Sequence, residues 1–531
     1  MTTGLRHGKW WDQWRGVPVQ DIMEGRFDRL FDPSVAPPAD FNDADLEKLA
    51  AQMTAGLDTP PTPETEVDPE ENTGIVAAYT YLGQFVDHDI TFDPASQLRH
   101  HTTDLNKLVD FRTPRLDLDC LYGRGPSDQP YIYAPDGRHF SPGRPLSGNP
   151  HDPAAFDLPR APNGRALIGD PRNDENRIVA QLHAAMLRFH NRVCDLMPDA
   201  SFDEIRNQVR WHYQWVVVND YLPTIIQADV LAPVFPHLGA GTSVIKDRPT
   251  PTIRLLTEEA HSRHGFFMPV EFSVAAYRYG HSMVRPIYRL NETISRRTIF
   301  GGGPDPAGDL GGMRPIPDDW AIDWQFFIDL NANQPAPTGE ISAHNANDPI
   351  PRTPQHAYKI DTSVVNPLGF LPPSVASNPA SLPLRNLLRG RDFQLPSGQT
   401  VAHQLGITPI PDDDLVIGKA TDEDPKQPIT SISNAFAGRA PLWAYVLSEA
   451  QVTSWAAAKG RKKKDSVPIR LGPVGGRLIA EVFAAMLLCD RTSLLHSTPR
   501  FQPVTDLERD ERFGLADLLR AALQQAAEPA P

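Results

Sequence analysis

The segment GQFVDHDI, residues 83–90, places a histidine between two aspartates and a glutamine four residues before that histidine. On a helix, Gln84 and His88 lie on one face, and Asp87 flanks that face. Asp89 lies about 100° further round the helix and must contact something else. Amide, imidazole and carboxylate groups can form hydrogen bonds or bind a metal ion. This helix end therefore indicates one functional partner on each of two sides of the helix.

A second dense segment, IGDPRNDEN, precedes a long run with helical apolar spacing. Asp170 and Pro171 are a good cap and first residue, so they predict the start of the helix that covers 174–197. Arg172 and Glu175 are three residues apart, and both can point at one site from the first turn. A capped helix whose acidic first turn satisfies the helix dipole would have the same residues, so this segment alone assigns no chemistry.

In the segment PVEFSVAAYRYGHSMVRPIY, Pro269 predicts the start of a helix over 271–285. Arg278, His281 and Arg285 recur on one stripe of that helix. Two arginines and a histidine are unusual on a core face, and they suit the edge of an anionic cofactor beside a histidine ligand. A single histidine in this place is more often structural, so the stripe needs support from the other segments.

The loop RTPRLDLDC carries alternating carboxylates after a threonine. A hard cation such as Ca²⁺ binds carboxylates, hydroxyls and backbone carbonyls together. Alternate residues of an extended loop direct their oxygens to one side, so Thr113, Asp117 and Asp119 can converge with the backbone carbonyl of Arg115. That set still requires one more carboxylate, and a solvated turn is the alternative interpretation.

Helices must position these segments, because helical periodicity is the dominant pattern along the chain. Alternating patterns are short and rare, so the sequence predicts a mainly α protein. Asn72 or Thr73 is expected to cap the helix that carries His88. The 54 prolines indicate long, stiffened connections, and the glycine-rich stretch 301–312 is interpreted as a loop. The predicted helices cover 74–88, 174–197, 203–229, 271–285, 441–458 and 475–489.

The net charge of −15 and the pI near 5.6 argue against nucleic acid or an anionic membrane as the main partner. The one strong basic run, Arg461–Lys464, is interpreted as a solvated loop. The cysteines have no CxxC spacing, so neither a disulfide framework nor a zinc site is predicted. There is no secretory apolar region and no apolar run of about 18 residues, which predicts neither a cleavable signal peptide nor a transmembrane helix. We therefore expect a cytoplasmic protein, or one that is exported by a non-classical route.

Together with the turn LPLRNLLRGRD, these segments and their order resemble the animal-type haem peroxidases of the peroxidase–cyclooxygenase superfamily, in its bacterial-type branch. The resemblance extends from about residue 74 to residue 491. It implies one large, mainly helical haem peroxidase domain over 74–500, with long proline-rich loops and few short strands. An N-terminal extension over 1–73 would wrap the core, and a C-terminal helix and tail would occupy 501–531.

The resemblance implies a distal site in which His88 is the acid–base group, Arg172 stabilises developing charge, and Gln84 contacts water or a halide. Asp87 and Glu175 match carboxylates that form ester bonds to the haem in mammalian members. The implied cofactor is haem b, with or without these ester links, and the implied oxidant is hydrogen peroxide.

On the other side of the haem, the resemblance implies that His281 is the axial iron ligand and that Asn386 orients its second ring nitrogen. Arg278 matches the arginine that pairs with a haem propionate or lies beside the reactive site. A calcium ion is implied as well, and its ligands would be Asp89, Thr113, Arg115, Asp117 and Asp119.

The chain departs from the family pattern in two places. Asn176 stands where a methionine would bond to a haem vinyl group, so a sulfonium link is excluded at this position. The expected donors are therefore bromide, iodide, thiocyanate or small phenols rather than chloride. The turn ends in RGRDF where RGRDH is usual, and we attach no function to that change.

Two other functions share parts of this pattern. A fatty-acid dioxygenase has the same fold and proximal ligand, but it carries a radical-bearing tyrosine three residues before that ligand, where this chain has Arg278. A calcium-braced haem-binding or adhesion protein without activity would not require His88, Gln84 and Arg172 together. Both alternatives are disfavoured, and a Soret band together with peroxide turnover would separate them from a peroxidase.

Overall fold

In the computed structural model the chain is mainly helical and its strands are short, which confirms the predicted fold class. The described residues are 25–56, 68–93, 98, 105, 108–239, 251, 254–257, 267–301, 308–330, 354–373, 375–376, 378–458, 464–504, 506–507 and 513–524. The helices are α1 Asp43–Gln52, α2 Ala77–Ile90, α3 Asp119–Tyr122, α4 Arg177–Leu196, α5 Phe202–Val216, α6 Leu222–Ile225, α7 Ala228–Leu231, α8 Pro236–Gly239, α9 Asn366–Gly369, α10 Leu382–Asp392, α11 Gly398–Gln404, α12 Ile429–Ile432, α13 Leu442–Ala457, α14 Pro473–Cys489 and α15 Leu515–Leu523. The strands are β1 Gly25–Asp28, β2 Glu71–Val76, β3 Val109–Asp110, β4 Met268–Pro269, β5 Ile287–Tyr288, β6 Arg297–Thr298, β7 His356–Tyr358, β8 Val416–Ile417 and β9 Gln427–Pro428.

The helices α13 and α14 are buried along most of their length. Their sequences are apolar on almost every face, which is the pattern of a helix enclosed by protein. The predictions for 441–458 and 475–489 are therefore confirmed. The prediction for 203–229 is confirmed as a succession of α5, a π-helical turn over Val217–Tyr221, α6 and the first residues of α7.

Helix α2 begins later than predicted. Residues Glu71–Val76 form strand β2, which pairs antiparallel with β7, and the helix starts at Ala77. Asn72 does not cap it, because its Nδ2 donates to the carbonyl oxygen of Ile469 at 2.8 Å and its Oδ1 accepts from the Ile469 N–H at 3.2 Å. A partner 397 residues away therefore overrides the local capping signal. Strand β2 also crosses the expected boundary between residues 73 and 74.

Asp170 does not open helix α4. Its side chain accepts from the backbone N–H of Arg172 at 2.8 Å and caps a single 3₁₀ turn over Pro171–Asp174. Asn176 then caps α4, because its side-chain oxygen accepts two backbone N–H groups of the first turn. Arg172 and Glu175 consequently lie in the turn before the helix rather than on its face.

The segment 271–285 is not a regular α-helix. A π-helical turn over Glu271–Ala275 continues as a 3₁₀ helix over Ala276–His281, and the helix ends there. Arg285 lies beyond that end, and its Nη1 donates to Glu71 Oε1 at 2.6 Å. The predicted stripe of three basic residues is therefore wrong, since only its first two members remain on helical backbone.

The N-terminal segment holds the first turn of that helix. Strand β1 lies between β3 and β4, antiparallel to the former and parallel to the latter. The buried carboxylate of Glu271 accepts the backbone N–H groups of Leu30 and Phe31 at 3.0 and 3.4 Å. Residues that precede α1 thus fix the orientation of the segment that ends at His281.

Gly83 marks a close approach between α2 and Tyr221. A Cβ at Gly83 would lie 2.5 Å from the Tyr221 hydroxyl oxygen, which bonds to the hydroxyls of Tyr277 and Tyr279. We expect Gly83→Ala to displace Tyr221 and to lower the stability by about 1–3 kcal/mol, seen as a lower thermal midpoint. The matched control is Gly390→Ala in α10, whose added Cβ would meet its nearest atom at 3.8 Å and should leave the midpoint unchanged or higher. Equal midpoints for the two variants would contradict the close packing.

No helix within the described ranges has the length and apolar character needed to cross a bilayer. Residues 461–463 of the basic run and residues 302–307 of the glycine-rich loop lie outside the described residues. The interpretations of those two segments therefore stay predictions.

Candidate active site

The end of α2 and the turn before α4 form one wall of a site. Gln84 Nε2 donates to the Glu175 carboxylate, and His88 Nε2 lies 3.8 Å from the same carboxylate oxygen. Arg172 Nη2 donates to the backbone carbonyl of His88 at 3.0 Å. The structure thus brings together Gln84, His88, Arg172 and Glu175, which we call the distal cluster.

His88 is buried and held through one ring nitrogen. Its Nδ1 lies 2.8 Å from the side-chain oxygen of Asn173, which can only accept, so Nδ1 carries the proton of the neutral ring. Burial, reinforced by the charge of Arg172, lowers the pKa of His88 to about 3. The ring therefore presents an unprotonated Nε2 to the site, where it can accept a proton.

Arg172 is fixed by a buried carboxylate and an aromatic ring. Its Nε and Nη2 donate to Asp170 at 3.1 and 2.8 Å, and its guanidinium lies 4.3 Å from the centre of the Phe92 ring. Asp170 is fully buried and also accepts the Arg172 backbone N–H. One carboxylate thus holds both the backbone and the side chain, so the positive charge stays in place beside His88.

Glu175 keeps an accessible surface beside the other residues of the distal cluster. Burial raises the pKa of Glu175 to about 7, although 37% of its side chain remains accessible. This carboxyl can therefore contact a molecule that enters the site. Gln84, which donates to Glu175, accepts from Asn176 Nδ2 at 2.9 Å. Asn176 therefore caps α4 and also holds the distal glutamine.

Asp87 connects this wall to a second one. Its Oδ1 accepts the Thr91 hydroxyl at 3.0 Å. Burial raises the pKa of Asp87, and the positive charges of Arg172 and Arg278 oppose that shift. Asp87 therefore lies within electrostatic reach of Arg278, which belongs to the 3₁₀ helix over Ala276–His281.

The second wall contains His281 at the end of that helix. Its Nδ1 lies 2.8 Å from Nδ2 of Asn386 in α10, which can only donate, so Nδ1 accepts. Burial lowers the pKa of His281 to about 3, and no described residue bonds to its Nε2. Arg278 is tied down by its Nε, which donates to the carbonyl of Ser273, and by its carbonyl, which accepts Trp443 Nε1, both at 3.1 Å.

The tyrosines that flank Arg278 are engaged with a third tyrosine. The Tyr221 hydroxyl lies 3.0 Å from that of Tyr277 and 2.6 Å from that of Tyr279. Burial raises the pKa of all three, so each stays protonated at neutral pH. The residue three positions before His281 is an arginine, and the tyrosine expected of a dioxygenase does not stand there.

One carboxylate oxygen from each of Asp89, Asp117 and Asp119 lies within 4.8 Å of the others. Thr113 joins them, since its hydroxyl donates to Asp117 at 2.7 Å and its backbone N–H to Asp119 at 3.2 Å. Asp89 is fully buried, and neither of its oxygens has a hydrogen-bond partner of ordinary geometry among the described residues. Burial and mutual repulsion raise the pKa of Asp119 to about 8 and that of Asp89 well above its usual range. We call these four residues the carboxylate cluster.

The side chain of Arg115 does not join the carboxylate cluster. Its Nη1 lies 3.6 Å from Asp490 Oδ1, so the guanidinium is directed to a different acid. The predicted contribution of Arg115 through its backbone carbonyl stays a prediction.

Sequence reasoning misses Arg112, which joins the two clusters. Its Nη1 lies 3.4 Å from Asp119 Oδ1, and its Nε lies 2.9 Å from Asp170 Oδ2. Asp170 in turn holds Arg172, so a continuous chain of opposite charges connects the carboxylate cluster to the distal cluster. The available signal is that Arg112 directly precedes a loop with two carboxylates that need a counter-charge.

Comparisons with known proteins give one family match and matches in sequence and fold to individual proteins. A family model for animal haem peroxidase matches residues 113–300. Thyroid peroxidase from Sus scrofa is 28% identical over 209 residues, which are 35% of this chain and 20% of that protein, so the chain spans about a fifth of that relative. Peroxidase A from Dictyostelium discoideum has a TM-score of 0.56 at 15% identity, with 94% of each chain covered. A fatty acid alpha-dioxygenase from Arabidopsis thaliana has a TM-score of 0.50 at 12% identity, covering 92% of this chain and 74% of that one. At such identities the two structures show the fold alone.

Proposed function

We propose that this chain, whose residues 113–300 match the family model for animal haem peroxidase, is a haem-dependent peroxidase that uses hydrogen peroxide to oxidise small donors. One observation carries the proposal. The neutral His88 presents an unprotonated Nε2 while Arg172, fixed by Asp170, bonds to its carbonyl. A base and an immobile positive charge side by side are the groups that cleavage of a peroxide O–O bond requires.

The second wall fits a haem. His281 has Nδ1 bonded to the Asn386 amide, which fixes the ring orientation, and its Nε2 has no protein partner among the described residues. With the Asn386 amide turned so that Oδ1 faces the ring, Nδ1 would carry the hydrogen and Nε2 would have a lone pair for iron. Arg278 supplies a positive charge that suits a haem propionate. The open surface of Glu175 supports a cavity between the walls.

When bound, the haem supplies an iron centre that exchanges electrons with peroxide and donor. His88 Nε2 would accept the proton of one peroxide oxygen and return it to the leaving oxygen, while its Nδ1–H stays bonded to Asn173. Arg172 would stabilise the negative charge that develops on the leaving oxygen without moving. Proton transfer by such a group typically contributes about 10²–10⁴-fold to a rate.

The proposed donors are bromide, iodide, thiocyanate and small phenols. Gln84 lies in the distal cluster, where its amide can bond to water or an anion. Asn176 offers no sulfur for a third covalent bond to the haem, so the extra oxidising power that chloride requires has no structural source at this position.

The carboxylate cluster is proposed to bind Ca²⁺. The buried Asp89 carboxylate, which has no hydrogen-bond partner of ordinary geometry among the described residues, and the half-buried carboxylates of Asp117 and Asp119 form, together with a threonine oxygen, the hard oxygen set that calcium prefers. Asp89 and His88 are neighbours on α2, and Arg112 ties Asp119 to Asp170. A bound cation would therefore brace both the base and the guanidinium.

A donor panel on haem-loaded protein tests the proposed function. We expect hydrogen-peroxide-dependent oxidation of bromide, iodide, thiocyanate or a phenol, with no oxygen uptake on linoleate. Oxygen uptake on linoleate without peroxide turnover would identify a dioxygenase. A Soret band without any turnover would identify a haem-binding protein without activity.

Covalent attachment of the haem is a further expectation. Glu175 lies in the distal cluster, and Asp87 lies within reach of Arg278, so both carboxylates flank the proposed haem cavity. We expect up to two ester bonds, which form during peroxide turnover, and no sulfonium bond because of Asn176. Acid–ketone extraction followed by mass spectrometry of haem peptides measures the linkage. The matched control is Asp87→Asn with Glu175→Gln, from which all haem should be extractable. Haem that is fully extractable from peroxide-treated wild type would refute the linkage and leave the peroxidase proposal standing.

A further inference from the structure

We propose that Asn173 is a positioning residue that sets the tautomer of His88 and thereby makes its Nε2 a base. The inference rests on the proposed peroxidase function, in which His88 must first accept a proton. Asn173 lies between Arg172 and Glu175 in sequence. Its side chain is fully buried behind the ring of His88, so neither peroxide nor the substrate to be oxidised can contact it.

The amide of Asn173 lies between two imidazoles. Its Oδ1 is 2.8 Å from His88 Nδ1, and its Nδ2 is 3.1 Å from His183 Nδ1. Asn173 and His183 have no accessible surface, so water does not replace either bond. A neutral ring has one N–H, and the amide atom that faces it decides which nitrogen carries that hydrogen.

The two ends of the amide have opposite effects on His88. With Oδ1 facing the ring, Nδ1 must carry the hydrogen, and Nε2 keeps a lone pair toward the cavity. With Nδ2 facing the ring, Nδ1 would have to accept, and Nε2 would carry the hydrogen and could not take a proton from peroxide. In the structure Oδ1 faces His88, and at the far end the amide Nδ2, which can only donate, lies 3.1 Å from His183 Nδ1, which accepts.

His183 has no other hydrogen bond among the described residues. Its Nε2 is buried without a partner, and the Phe85 ring packs against the imidazole at 5.9 Å between centroids. A buried imidazole with an unmet nitrogen is costly, and the bond to Asn173 is the polar contact that this position provides. We therefore attribute the hydrogen bond between His183 and Asn173 to the orientation of the Asn173 amide rather than to packing.

Two substitutions at position 173 separate this role from a structural one. Asn173→Leu keeps the shape and removes both polar ends, whereas Asn173→Asp keeps an acceptor toward His88 whichever way the carboxylate turns. If Asn173 sets the tautomer of His88, Asn173→Asp should retain the reaction with peroxide and Asn173→Leu should lose it. A packing role predicts the reverse, because a buried leucine is tolerated better than a buried carboxylate.

The measurements use the haem-loaded protein. Hydrogen cyanide must give up its proton to a base when it binds iron, so its association rate, followed at the Soret band, reports on Nε2 without turnover. We expect Asn173→Leu to slow both cyanide binding and the reaction with peroxide by roughly 10–100-fold. Haem content and the rate at which a donor reduces the peroxide-oxidised protein should be unchanged. Asn173→Asp should recover most of both losses.

Two results would overturn the inference: wild-type cyanide and peroxide rates in Asn173→Leu, or a larger defect in Asn173→Asp than in Asn173→Leu. If Asn173→Leu does not retain haem, Asn173→Ala gives the same comparison without a bulky side chain. Failure of the proposed function looks different, because wild-type protein would then bind haem and not react with peroxide at all.

Discussion

His281→Ala is expected to abolish stable haem binding, whereas His88→Ala is expected to keep the haem and lose its rapid reaction with peroxide. His281 offers the imidazole nitrogen that no described residue bonds, beside the positive charge of Arg278. His88 offers the unprotonated nitrogen of the distal cluster, and its removal should slow the peroxide reaction by about 10²–10⁴-fold. Soret absorbance per protein measures the first effect, and stopped-flow mixing with hydrogen peroxide measures the second.

The matched control for both variants is His212→Ala. His212 is fully buried, and its Nδ1 donates to the carbonyl of Gln208 at 2.7 Å while its Nε2 accepts the N–H of Val504 at 3.0 Å. It should lose thermal stability and keep both the Soret band and the peroxide reaction. A normal peroxide reaction in His88→Ala would remove that residue from the mechanism, and a full Soret band in His281→Ala would remove the assigned iron ligand.

If the carboxylate cluster holds the proposed calcium ion, its removal should lower the thermal midpoint by several degrees and shift the Soret band. A ligand that binds only the folded state stabilises that state, and the haem responds because Asp89 adjoins His88 and Arg112 ties Asp119 to Asp170. Burial and mutual repulsion raise the pKa of Asp119 to about 8, so protons compete with the cation below that pH. Calcium affinity should therefore fall as the pH is lowered from about 8 to about 6.

Chelation and mutation test the calcium prediction separately. Asp117→Ala with Asp119→Ala should reproduce the effects of exhaustive chelation, even in freshly expressed protein that has never met a chelator. Asp136→Ala with Asp195→Ala is the control, because those carboxylates are exposed beside His139. A double mutant of the carboxylate cluster with the wild-type midpoint and Soret band would refute the site.

Short-range patterns in the sequence predict the two pairs of the distal cluster, and the family resemblance implies that the pairs meet at one site. Gln84 and His88 share a helix face, and Arg172 and Glu175 share a turn, so both pairs are set by local backbone geometry. The start of α2 was not predictable in this way. Asn72 has an ideal capping side chain, but the Ile469 backbone offers it two hydrogen bonds, and no local pattern contains that partner.

The segment that ends at His281 shows a second limit of local reasoning. Its apolar spacing fits an α-helix, yet the backbone adopts a π-turn and then a 3₁₀ helix. Glu271 is fixed by the N–H groups of Leu30 and Phe31, which come from a distant part of the chain. Arg112 and Asn173 were missed for a related reason, because their roles depend on atoms that only the fold brings near.

Strand β2 has a consequence for the order in which the molecule is assembled. Its backbone pairs with β7, and Asn72 bonds to Ile469, which is 397 residues further along the chain. At a synthesis rate of about 5–20 residues per second, roughly 20–80 s pass on the ribosome between these two residues. Helix α2 continues directly from β2, so His88 lacks its final support throughout that interval. We therefore expect the proposed haem to bind after synthesis of nearly all the described chain, because the pocket is incomplete before then.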